Sequence, residues 1–320
     1  MFNQNSTTEF GFGNTGNASG QRILNKDGTA NIKRIGEPKF NVVNIFHSLI
    51  MMSWWKFSLF VFGFYFTLNL LFTLTYYTLC PDDIAGMIYT NENNKFLEIF
   101  FFSSQSLTTV GYGRLNPTGA LAGSIASIES MLGLLGFALA TGLLYGRFSR
   151  PTAKLLYSEN VILTTYHHPT LSKDAPTALM FRIANARRNQ LLEVEATVLF
   201  SYTEMINGKA QRKYSNLILE IPKINFLALS WTIVHPINEE SPLHGLTAID
   251  LENIEAEFMI SLKAIDDTYV QQIYDRNSYH FNEIKWDVRF ASMIGKSENG
   301  ATTLDLKMIS ALEKTNNQNA

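Results

Sequence analysis

The run Thr108-Thr109-Val110-Gly111-Tyr112-Gly113 holds the residues best suited to handling an ion. Potassium sheds its water only where oxygen ligands replace that water along the path. Four copies of an extended loop, with carbonyls turned inward, can stack rings of such ligands. In that arrangement the backbone carbonyls of Thr109, Val110, Gly111 and Tyr112 would hold K+, and the Thr109 hydroxyl would add a ring at the inner mouth. Gly111 and Gly113 allow backbone conformations that a Cβ would penalise. Val110 and Tyr112 would point away from the ion path and set its width by packing. One chain supplies one wall, so the chemistry demands a homotetramer. In a soluble protein the same run would often be a glycine-rich surface turn; its neighbours decide.

Those neighbours are apolar. Trp54–Leu79 carries one charge, Lys56 at its leading edge, and exceeds the roughly 20 residues needed to cross the hydrocarbon core. A second span occupies 119–148, rich in Gly, Ala and Ser, with one acid, Glu129. Small residues permit close helix approach in lipid, and an intramembrane acid should face protein or water. Trp54, Trp55, Tyr76 and Tyr77 lie at the ends of the first span, where interfacial rings are expected. Between the spans, the apolar run 96–107 is too short to cross and predicts a re-entrant pore helix leading into the loop at 108–113. Irregular backbone at membrane depth is tolerated only where protein buries it or it lines a watery path.

Orientation follows from charge. Arg22, Lys26, Lys33, Arg34, Lys39 and Lys56 precede or open the first span, and Arg147, Arg150 and Lys154 flank the end of the second. The segment between the spans has Lys95 and Arg114 against four acids, which places both termini in the cytoplasm. Residues 41–53 are expected to form an amphipathic helix along the inner interface, because apolar residues recur at helical spacing through 42, 43, 45, 46, 49 and 50. Residues 1–40 are a polar N-terminal segment.

From 149 the charge density becomes that of a soluble domain and the apolar period shifts to two. Strand-like runs at 193–200, 217–221 and 258–262, punctuated by Asn207-Gly208, Pro222, Pro236 and Asn299-Gly300, predict a β-sandwich of immunoglobulin type over 149–313 and a short tail at 314–320. The fold class is thus an α-helical membrane pore with a C-terminal cytoplasmic immunoglobulin-like β-sandwich.

Other features narrow the function. A net charge of −2 disfavours a general nucleic-acid binder. The single cysteine, Cys80, excludes an intrachain disulfide framework. Gly11-Phe12-Gly13-Asn14-Thr15-Gly16 has dinucleotide-binding spacing but lacks the preceding strand and following helix. His167-His168 has no third ligand at a telling spacing, neither span carries regularly spaced arginines, and no nucleophile–base set suggests an enzyme. No cofactor is expected. The alternative to a channel is a membrane-anchored sensor or binding protein without conduction, which has no use for the loop.

With these features in place, the chain resembles the prokaryotic branch of the inward-rectifier potassium channels, over nearly all of its length after the first 20 residues. The residues carrying the resemblance are Arg22-Ile23-Leu24-Asn25-Lys26-Asp27-Gly28, the 41–51 helix (a slide helix in that family), Arg147-Phe148-Ser149-Arg150-Pro151, Arg182-Ile183-Ala184-Asn185-Ala186-Arg187, and Trp231-Thr232-Ile233-Val234-His235-Pro236 running on through Ser241-Pro242-Leu243. The resemblance implies a voltage-independent channel in a bacterial inner membrane. Phe137 stands where strong rectifiers carry a polyamine-attracting acid, and Tyr145 where the family places a bulky gate; with Thr141 they share one helix face. Tyr145 also fits an interfacial belt. Gly133 and Gly142 match bending points, and close helix packing would explain them equally.

Glu193 aligns with an acid of the cytoplasmic vestibule, a site for Mg2+ or polyamines as blockers, or else a solvated glutamate on a strand face. Gln105 stands behind the filter and, with Thr108, is expected to support it by hydrogen bonds. Arg147, Arg150 and Lys154 fit anionic phospholipid headgroups, although positive-inside anchoring accounts for them as well.

Overall fold

The computed structural model describes residues 22–31, 35, 42–149, 154–166, 177–296 and 299–314, and for residues 42–44 the backbone alone. The glycine-rich run at 11–16, Arg150, His167-His168 and residues 315–320 lie outside these. The chain divides into two units, 36–150 and 1–35 with 151–320.

The first unit is helical: α1 Val42–Met51, α2 Trp54–Leu79, α3 Glu92–Leu107 and α4 Ala120–Phe148. Helices α2 and α4 have 26 and 29 residues, about 39 and 43 Å at 1.5 Å per residue. Both are long and apolar enough to cross a membrane, and most of their side chains lie at the surface of the chain. A core helix of a soluble protein would bury that surface. Helix α3 starts four residues before the apolar run because capping sets its first turn. The Asn91 side chain accepts a hydrogen bond from the Asn94 N–H at 2.9 Å, and Glu92 sits at the positive end of the helix dipole. An antiparallel pairing of Ile84–Ala85 with Asn116–Pro117 ties the segment after α2 to the one before α4. Tyr76, Ile99, Phe102, Leu115, Ala122 and Ile125 form the core that holds α2, α3 and α4 together.

The second unit is a β-sandwich. Its strands are β1 Leu155–Tyr157, β2 Val161–Thr165, β3 Thr177–Asn185, β4 Leu191–Ile206, β5 Lys209–Leu217, β6 Lys223–Leu227, β7 Ser230–Ile237, β8 Glu257–Asp266, β9 Gln271–His280 and β10 Ile284–Trp286. One five-stranded sheet has the order β9-β8-β4-β5 with β6 also on β4, and the other has β10-β2-β3-β1 with β7 on β3. The pairings are antiparallel except β10 with β2, which is parallel. The expected run at 217–221 is only partly strand: Leu217 ends β5 and the next four residues leave the sheet. Asn207-Gly208 makes the β4–β5 hairpin, both residues at positive φ (52° and 75°) as a tight primed turn requires. Phe181, Phe200, Phe258 and Tyr279 are fully buried between the sheets, with Phe200 stacked on Phe258 at 5.4 Å. Lys314, expected to open the tail, ends a strand Leu312–Lys314 paired with Val288–Phe290.

Residues 22–31 dock on this sandwich. The Ile23 and Leu24 N–H groups donate to the buried Glu257 carboxylate at 3.0–3.2 Å, Arg22 pairs with Glu283, and Lys26 reaches Glu283 at 2.7 Å.

Candidate ion-conduction site

Helix α3 hands the chain to the filter run through a left-handed turn. Thr108 is the C-cap, Thr109 follows at φ 58°, its N–H donates to the Ser106 carbonyl at 3.1 Å, and the Val110 N–H donates to the Gln105 carbonyl at 3.0 Å. This is a Schellman closure, a position that usually takes glycine. A β-branched threonine there is strained, so the exit direction of the filter is imposed by its surroundings. Gly111 and Gly113 also have positive φ, 54° and 89°. The run therefore departs from a plain strand at Thr109, Gly111 and Gly113. Val110 and Tyr112 are 53% and 82% exposed on the single chain, so packing by the described residues covers them only in part.

Behind the filter lies a buried polar seam that sequence reasoning described only in outline. Glu129 on α4 is 0% exposed. It accepts from the Tyr76 hydroxyl on α2 at 2.8 Å and from the Ser103 hydroxyl on α3 at 2.5 Å. Tyr76, expected among the interfacial rings, is instead 0% exposed. One residue on, the Ser130 hydroxyl donates to the Ser106 carbonyl at 3.1 Å. One turn further, a Cβ added at Gly133 would overlap the Leu107 carbonyl. Close packing of α4 on α3 is thus a sufficient reason for glycine at 133, whereas Gly142 has open space around it.

Gln105 touches the loop through its backbone; its side-chain oxygen is buried without a hydrogen-bond partner among the described residues. The Thr108 hydroxyl turns back to the Ser104 carbonyl at 2.7 Å. At the other end of the loop, Arg114 pairs with Glu98 at 2.6 Å and donates to the Gly86 carbonyl at 3.0 Å.

Along α4, Phe137, Thr141 and Tyr145 are all exposed, and the Thr141 hydroxyl donates to the Phe137 carbonyl at 2.9 Å. Arg147 is engaged within its own unit: it donates to the carbonyls of Leu49, Ile50 and Met52 at 2.6–2.9 Å and stacks on Trp54 and Phe57. Lys154 is exposed, and Arg150 lies outside the described residues.

Glu193 sits on a bulge. Register slips between Lys263–Glu195 and Ile265–Leu192, and Glu193 takes φ 48°, re-aiming its side chain. Lys223 stands 2.9 Å from its carboxylate and, through that hydrogen bond first, holds it below the ordinary carboxyl range. Among the described residues no three His, Cys, Asp or Glu side chains gather to hold a metal.

Two crossing-length helices around a half-length helix and a loop with left-handed backbone at Thr109, Gly111 and Gly113 fit an ion channel, and residues 77–149 match the family model described as "Ion channel". Residues 168–319 match the "Inward rectifier potassium channel C-terminal domain". The chain is 34% identical over 287 residues to inward rectifier potassium channel Kirbac3.1 of Paramagnetospirillum magnetotacticum, covering 89% of this chain and 93% of that one. More distant relatives are ATP-sensitive inward rectifier potassium channel 12 of Gallus gallus (24% identity, 90% and 72% covered) and G protein-activated inward rectifier potassium channel 2 of Mus musculus (26%, 86% and 68%). This chain belongs to the inward rectifier potassium channel family.

Proposed function

We propose that four copies of this chain assemble into a potassium-selective pore that conducts K+ passively and is gated through its C-terminal domain and membrane lipids. The observation that carries this reading is the exit of Thr109–Gly113 from a half-length helix, with left-handed backbone at Thr109, Gly111 and Gly113. That backbone supplies carbonyl ligands in place of water. Exposed Val110 and Tyr112, together with the apolar surfaces of α2 and α4, fit neighbouring subunits and lipid. The family's membership of potassium channels supports the choice of ion, and no covalent chemistry is involved.

In this reading Phe137 and Thr141 line the inner cavity, Tyr145 forms the gate, and Gly142 permits α4 to bend. Glu193 contributes to a cation ring for Mg2+ or polyamines, its field partly offset by the Lys223 ammonium. Arg150 and Lys154 meet anionic phospholipids, and Arg147 does so in competition with the α1 carbonyls. The protein sits in a bacterial inner membrane with both termini cytoplasmic, as its flanking charges suggest.

The test is Rb+ or K+ uptake into liposomes holding the purified protein. Uptake blocked by barium and closed to Na+ is expected. Uptake that survives barium, or that admits Na+ equally, overturns the reading.

A further inference from the structure

Three contacts in register join α4 to the last half of α3, just where the filter begins: Glu129 with Ser103, Ser130 with the Ser106 carbonyl, and Gly133 against the Leu107 carbonyl. The third is a steric stop and the second a single neutral bond. Only the first carries an ionisable group, and that group is completely buried, as is Ser103. The Ser103 hydroxyl has one proton and two acceptors in range, Glu129 at 2.5 Å and the Asn69 carbonyl at 3.2 Å. The shorter contact, to a carboxyl oxygen, takes the larger share. The second carboxyl oxygen is occupied by Tyr76 on α2, so one side chain of α4 grips both α2 and α3.

Resting on the channel reading above, we propose that Glu129 is a positioning residue for ion selectivity: through Ser103 it holds α3 at a set height and rotation on α4, and so sets the position of the first carbonyl ring. The filter is bonded to the last turn of α3, Thr109 to Ser106 and Val110 to Gln105. Any slip of α3 along α4 is therefore passed to the loop without slack. The Gln105 side-chain oxygen, which has no hydrogen-bond partner among the described residues, provides no second brace. A slip of a few tenths of an ångström in four subunits widens a ring whose fit to a dehydrated ion depends on carbonyl geometry.

The experiment compares Glu129→Ala, Glu129→Gln, Ser103→Ala and, as a control on the same helix, Ser127→Ala, whose hydroxyl, among the described residues, bonds the Gly123 carbonyl of its own helix. Each is reconstituted in liposomes, its tetramer content measured, and K+/Na+ flux ratio and barium block recorded. Ser103→Ala and Glu129→Ala are expected to keep barium-sensitive K+ flux while the K+/Na+ ratio falls about tenfold, the loss of one buried hydrogen bond. Glu129→Gln keeps an acceptor for Ser103 and is expected to restore most of the ratio; Ser127→Ala keeps all of it.

Ser103→Ala at the wild-type ratio overturns the proposal, and so does an equal loss in Glu129→Gln and Glu129→Ala. A merely structural role would lower tetramer yield without moving the ratio, which also overturns it. If Glu129→Ala fails to assemble, Ser103→Ala decides alone. Failure of the channel reading itself shows separately, as wild-type protein without barium-sensitive flux.

Discussion

Arg147, near the end of α4, donates from Nη2 to the Met52 carbonyl at 2.6 Å, just past the end of α1. With Leu49 and Ile50 also bonded to Nη1, this one guanidinium caps the amphipathic helix and ties it to the segment carrying Tyr145. A cation at a helix C-terminus complements the dipole and satisfies orphan carbonyls. Replacing it with alanine should free α1. We expect backbone amides of 42–51 in Arg147→Ala to exchange hydrogen at least about tenfold faster, given roughly 1.5–3 kcal/mol for a charged hydrogen bond. Arg147→Lys should fall between, since an ammonium cannot span three carbonyls with a planar fork. Unchanged exchange in both variants would show that the cap does not hold the helix.

Gly133 and Gly142 are predicted to part company on substitution. A methyl at 133 meets the Leu107 backbone, while 142 is open. Overpacking of this kind costs about 1–3 kcal/mol, so Gly133→Ala should lower the protein's thermal midpoint and its flux. Gly142→Ala should leave the midpoint at or slightly above wild type, because alanine is the better helix former. Thermal melts of the two purified variants check this.

Gly111 needs φ 54°, a conformation costly to any residue with a Cβ. Gly111→Asp should abolish barium-sensitive Rb+ uptake while leaving migration on native gels unchanged, since no described residue of the subunit lies within 4 Å of a Cβ added there.

His235 gives the sandwich a pH dependence. It is 3% exposed; Nδ1 stands 2.7 Å from the Ile218 carbonyl and Nε2 2.8 Å from the Ser241 hydroxyl. A carbonyl only accepts, so Nδ1 carries the proton and Nε2 accepts from Ser241 in a neutral ring. Burial lowers its pKa from 6.5 to about 4. Between those values the unfolded chain binds the extra proton, so the full stability present above about pH 6.5 is lost as pH falls toward 4, by at most about 3 kcal/mol. Burial shifts His280 in the same direction. Denaturant titrations of the full chain should show the loss, and His235→Gln should flatten it. A wild-type midpoint constant from pH 7 to 4.5 would contradict the assignment.

Glu257 anchors the N-terminal segment. Its carboxylate, 0% exposed, takes the Ile23 and Leu24 N–H groups and faces the buried Arg212 at 3.4 Å. Removing one member of a buried pair costs about 3–5 kcal/mol because the other is left uncompensated. Glu257→Ala should therefore destabilise the sandwich and expose Arg22 and Lys26 to trypsin. Cleavage at the wild-type rate would count against the clasp.

The two crossing-length helices, the half-length helix, the unusual backbone at Gly111 and Gly113 and the β-rich C-terminal half could all be read from residue order. Each depends on composition or period over a local window, and the membrane narrows the choice further because it forbids unsatisfied backbone. What stayed hidden depended on which residues meet. Glu129 read as an acid facing protein or water, but Ser103 and Tyr76, 26 and 53 residues away, became its partners only when α2, α3 and α4 packed. Tyr76 read as an interfacial ring because sequence shows the end of a span and not the core beneath it. Arg147 read as an interfacial or lipid-facing cation, and its grip on α1 stayed hidden because its acceptors are backbone carbonyls, which every residue has and no sequence pattern marks. Local chemistry thus determined what the elements are, and packing alone decided which side chains hold them, since a hydrogen bond depends on distance and angle that residue order does not encode.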